Sequence, residues 1–133
     1  MTYARSNPLF TMLAAVCVLV VGALAVAQTS SAATRGCSPP KEPAGLNGGY
    51  FTELRATNVS CRSARKLVLA YYKCRRARGG IRGTCNNRTV NGLRCKESRP
   101  ASLQSDTQIN ARVTCTKGTK RVRHSYQQNL RTG

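Results

Sequence analysis

The chain has no tryptophan, one histidine and four acidic residues among 133. Each shortage closes off some chemistry. Glycoside hydrolysis needs two carboxyl groups facing one gap, and Glu42, Glu53, Glu97 and Asp106 are scattered along the chain. General acid–base catalysis most often sets a histidine beside a carboxylate partner. His124 has no second histidine to work with, and it alternates with Val122 and Tyr126, which reads as a packed strand residue. No glycine stretch ends in Gly-Lys-Ser or Gly-Lys-Thr, so a phosphate-cradling loop of that type is missing. Aromatics are limited to five Tyr and two Phe, one of each near the start. That is thin for a platform on which bases stack, and the remaining aromatics are expected in the core. These absences argue against an enzyme and against any cofactor.

Cysteine is well represented. Cys17 falls in the leader described below and is set aside. Cys37, Cys61, Cys74, Cys85, Cys95 and Cys115 form an even set in a short chain, which is the signature of a disulfide framework in an oxidising compartment. Zinc would want Cys-x2-Cys pairs or a nearby histidine. The cysteines are instead separated by 23, 12, 10, 9 and 19 residues, and the histidine is remote, so no metal is expected. Six cysteines allow 15 connectivities. The local expectation is Cys74 with Cys85, closing a Gly- and Arg-rich loop. Cys61 is then expected to tie the helix start to Cys95 or Cys115, with Cys37 taking whichever remains.

Residues 1–33 carry one charge, Arg5, followed by an apolar run from Leu9 to Ala27 and then by small residues. This order reads as a secretory signal peptide, which places the protein in the medium or the cell envelope. Retention as an anchor is the alternative, since the run approaches the ~20 residues of a membrane span; membrane contact is expected through this segment alone. The remaining 100 residues hold 21 Lys and Arg against the four acids, a formal net charge of +17. Such a surface attracts anions. It is readable as a site for an anionic polymer such as nucleic acid or a wall polymer, for anionic lipid or for an acidic protein, or as a merely solvated basic surface.

Residues 34–49 are rich in proline and glycine and are expected to lack regular structure. Residues 50–126 are the expected α+β domain. Asn58 to Arg78 reads as its single helix: Ser60 caps it, Gly79-Gly80 stops it, and Cys61, Ala64, Val68 and Tyr71 share one face, widened by Leu67 and Tyr72. Arg62, Arg65, Lys66, Lys73 and Arg76 form a basic ridge on the other side. A short strand is expected over 50–57 and another over 89–96, with Asn91-Gly92 as a turn or bulge at its start. The clearest β signal is Ile109 to Tyr126, where apolar and polar residues alternate on both sides of Lys117-Gly118-Thr119, as in a hairpin. Its outer face presents Arg112, Arg121 and Arg123. Residues 127–133 read as a frayed tail. The expected architecture is one amphipathic helix on an antiparallel sheet of three or four strands, stapled by disulfides.

The run Leu54-Arg55-Ala56-Thr57-Asn58-Val59-Ser60-Cys61-x-x-Ala64-Arg65, then Gly92-Leu93-x-Cys95, then Val113-Thr114-Cys115-x-x-Gly118-x-x-x-Val122, resembles a group of small exported actinobacterial proteins, mostly of unknown function. Leu93 stands where that group has an aromatic residue, and Cys37, Cys74 and Cys85 are additions to its pattern. The resemblance implies fold and compartment, not activity. The leading expectation is a non-enzymatic binding module whose helix ridge and hairpin face meet an anionic partner; there is no specific nucleic-acid motif. The alternative is a secreted antagonist, either a cationic antimicrobial effector or a protease inhibitor presenting Arg75 to Arg82 between Cys74 and Cys85.

Overall fold

A computed structural model describes residues 32–41 and 49–130. Residues 1–31 of the expected 1–33 leader, 42–48 of the Pro/Gly-rich segment 34–49 and the tail residues 131–133 lie outside the described residues. The chain builds β1 (Thr34–Gly36), β2 (Gly49–Thr57), α1 (Cys61–Ala77), β3 (Arg88–Val90), β4 (Leu93–Ser98), β5 (Gln108–Lys117) and β6 (Lys120–Asn129), with 3-10 turns at Gly80–Arg82 and Ala101–Leu103. All strands pair antiparallel in one sheet, in the order β1-β2-β6-β5-β4-β3.

The α+β class is as expected, but the sheet has six strands rather than three or four. Two features account for the difference. Asn91 and Gly92 both adopt positive φ, 45° and 80°, the conformation of a two-residue hairpin turn whose twist matches its strands. They join two strands instead of opening one, with Val90 opposite Leu93. Thr34–Gly36, placed by sequence in an irregular segment, pairs with Arg55–Thr57 as an edge strand. At the other end β6 runs to Asn129, paired with Gln108, so residues 127–129 are ordered strand, not frayed tail.

The helix follows its sequence signals. The Ser60 side chain accepts from the Ser63 amide, and the helix stops at Ala77, just before Gly79-Gly80. Its buried face is Ala64, Leu67, Val68, Tyr71 and Arg75. This face packs on the inward side chains of the sheet, among them Leu54 and Ala56, Val113 and Cys115, Val122 and Tyr126. The helix exit is tight: a Cβ on Gly83 would lie 2.0 Å from the Arg75 carbonyl oxygen, so only glycine lets the chain pass under the last helical turn.

Three disulfides close the framework: Cys37–Cys61, Cys74–Cys85 and Cys95–Cys115. The Cys74–Cys85 expectation holds. Cys61 does not reach the hairpin strands, because Cys95 and Cys115 already face each other as direct cross-strand partners. Cys61 instead binds Cys37, just beyond β1.

Candidate functional site

The sheet has one face covered by α1 and one open. On the open face, alternation along three neighbouring strands sets polar and charged side chains in register. Arg94 of β4 stands beside Thr116 of β5, which stands beside Arg121 of β6. Two residues along, Lys96, Thr114 and Arg123 repeat the pattern. A third row reads Ser98, Arg112 and Ser125. The first two rows are cation–hydroxyl–cation; the third is hydroxyl–cation–hydroxyl. All five cations of these rows, together with Arg55 of β2 next to Arg123, are exposed. A shallow depression of about 390 Å³ opens among Glu53, Arg55, Arg112, Thr114, Arg123 and Ser125. Glu53, opposite Ser125 on β2, lies at its edge and accepts from Arg55 Nε at 2.6 Å. The remaining cations have no acid beside them in the paired register.

The expected site residues therefore divide. Arg112, Arg121 and Arg123 lie together on the open face. Arg62, Lys66 and Lys73 are exposed and Arg65 and Arg76 half-buried on α1, which packs on the opposite face. The ridge and the hairpin face point away from each other across the sheet and do not form one surface. Sequence reading missed Arg55, Arg94, Lys96 and the two threonines. The signal was present in β4: Leu93, Cys95 and Glu97 turn inward while Arg94, Lys96 and Ser98 turn outward.

The covered face holds a second polar assembly. Arg75 is 2% exposed. Its guanidinium sits 4.4 Å from the Tyr126 ring centre and 5.2 Å from that of Tyr72, and donates to Gln128 Oε1 and the Ile81 carbonyl. The Glu97 side chain is buried. It accepts from the Tyr71 hydroxyl and from Arg99 Nε, and Arg99 also donates to the Arg82 and Gly83 carbonyls. Burial lowers the pKa of Arg75. Burial and Glu97 together raise that of Tyr71, and push Tyr126 up to about 12. For Arg99 burial opposes the charge, but Tyr126 and Glu97 outweigh it and the pKa rises.

His124 sits among these groups, 2% exposed, edge-on to Tyr71 at 5.4 Å between ring centres. Neither ring nitrogen has a hydrogen-bond partner. Burial, and then the Arg75 charge, depress its pKa to about 3. It is a packed strand histidine, as its alternation indicates. These groups hold helix to sheet. Arg75 is thereby withdrawn from the loop between Cys74 and Cys85, whose exposed arginines are Arg78 and Arg82. Among the described residues no group of His, Cys, Asp and Glu could hold a metal ion, and no helix is long and apolar enough to cross a membrane.

No protein-family model, curated protein or solved structure matches this chain.

Proposed function

We propose that this is a small secreted, non-enzymatic binding module that holds an anionic partner at the cell surface or in the medium, through the open face of its sheet. One observation carries the reading: Arg94, Lys96, Arg112, Arg121 and Arg123 occupy a rigid, solvent-facing grid without an acid beside them in register. Five like charges on adjacent strands repel one another, so the fold tolerates a cost that an anion relieves. The three disulfides suit an oxidising extracytoplasmic setting. The same framework holds the grid in shape at modest chain length.

The test is binding of the oxidised protein to anionic polymers across a salt series, beside a reduced and alkylated sample. Any polycation loses affinity for polyanions as salt rises, through counterion release. A site adds selectivity that disappears when the fold is lost. Arg121→Glu with Arg123→Glu should abolish that selective binding, whereas Lys66→Glu with Lys73→Glu on the helix ridge should not. Equal binding of every polymer by folded and alkylated protein would end the proposal.

A further inference from the structure

Resting on that reading, the register of the grid points to the class of anion: we infer that the open face takes a linear phosphodiester chain with no bases, laid along β5. Alternate residues of a strand stand about 6.8 Å apart on one face, and neighbouring strands about 4.8 Å apart. The Arg94–Thr116–Arg121 and Lys96–Thr114–Arg123 rows are therefore two equivalent anion positions, one step apart along β5. Each offers a threonine hydroxyl on the floor and a cation on either wall. Arg112, two residues on, supplies a third cation in the same line.

That step matches a particular covalent repeat. Three backbone bonds of an extended chain span about 3.5 Å, so six span about 7 Å. Six bonds separate successive phosphorus atoms in a polymer of glycerol joined through its end hydroxyls by phosphodiesters. Each phosphate of such a chain carries one charge and two unesterified oxygens, enough to accept from the threonine and from both walls. Condensed phosphate repeats every two bonds and puts charges between the rows, where the face has none to meet them. An extended polypeptide brings alternate carboxylates to the row spacing but turns the others away from the face, so half of its charges go unmet.

Nucleic acid shares the six-bond repeat but brings bases, which proteins bind by stacking on aromatic rings. None of the three rows contains an aromatic residue. The face therefore fits the backbone without the base.

The experiment compares five probes by equilibrium binding at two salt concentrations, matched in number of charges: 1,3-poly(glycerol phosphate), oligothymidylate, inorganic polyphosphate, dextran sulfate and polyglutamate. Poly(glycerol phosphate) is expected to bind about tenfold more tightly than polyphosphate or polyglutamate, as two hydroxyl hydrogen bonds would give. Thr114→Val with Thr116→Val should remove that preference and leave polyglutamate binding unchanged. Thr114→Ser with Thr116→Ser keeps both hydroxyls and should retain it. Parity among the probes, or a preference indifferent to the valine pair, overturns the phosphodiester assignment and leaves the anion-binding face standing. Tighter binding of oligothymidylate or dextran sulfate overturns it in favour of that polymer. If Arg121→Glu with Arg123→Glu changes no binding relative to Lys66→Glu with Lys73→Glu, the face itself is wrong.

Discussion

The Arg75 guanidinium stacks on Tyr126 at 4.4 Å, inside a core where Arg75 is 2% exposed. A helix residue that would ordinarily reach into solvent is here the clasp between α1 and β6. Its charge lies between two rings and its donors are taken by Gln128 and Ile81. Truncation would take its donors away from the Ile81 carbonyl and Gln128 Oε1 inside the core, which costs more than losing a surface charge. Arg75→Ala is expected to cost about 1–3 kcal/mol in denaturant unfolding. Arg75→Lys should recover only part of this, because an ammonium lacks the flat face that stacks.

His124 predicts how stability responds to acid. Its folded pKa lies near 3, below the ordinary value of 6.5. The unfolded chain therefore takes up a proton first as pH falls. Above pH 6.5 the group has no pH-dependent effect. Between 6.5 and about 3 it should cost up to about 1.4 kcal/mol of stability per pH unit. Urea midpoints measured across this window should show a slope that His124→Leu flattens. An unchanged slope would mean that the ring is not held neutral.

The Cys74–Cys85 bond closes a short loop around the helix exit. Replacing both cysteines with serine should lower stability by about 3 kcal/mol on the chain-entropy account. Unfolding of the oxidised parent and the double variant under identical conditions measures this directly.

Gly83 gives a sharper probe of the same corner. A methyl group there would overlap the Arg75 carbonyl oxygen, and both belong to backbone that cannot swing aside. Gly83→Ala is expected to cost about 3 kcal/mol, at the upper end of ordinary single substitutions. Gly36→Ala, whose added carbon meets nothing within 4 Å, is the control and should differ little from the parent in melting temperature.

Where one element's own periodicity decides the structure, the sequence was legible. Ser60 as cap, the inward alternation of His124 and the Ile109–Tyr126 hairpin depend on neighbours within a few residues, as does the Cys74–Cys85 pair. What sequence reading missed depends on distant partners. Thr34–Gly36 is too short to signal a strand and becomes one only because β2 offers an edge. Cys61 pairs with Cys37 because the helix begins beside that edge, a fact of topology. Arg75 falls on the apolar stripe at the position after Tyr71, but charge alone made it look solvated; its neighbours Tyr126 and Gln128 arrive more than fifty residues later. The open face was half visible, since the arginines of β6 were recognised but not their alignment with β4.

That alignment depends on sulfur lying on the other side of the sheet. Cys95 and Cys115 point inward, beneath rows that contain no cysteine. A slip of two residues between β4 and β5 would keep every inward side chain inward, so the core alone resists it weakly. The slip would move Lys96 from beside Thr114 to beside Thr116 or Arg112, and the rows would dissolve into unmatched charges. The covalent bond between Cys95 and Cys115 forbids this displacement outright. Oxidation in the interior thus writes the pattern on the exterior, and a reductant that never touches the basic face could still erase it.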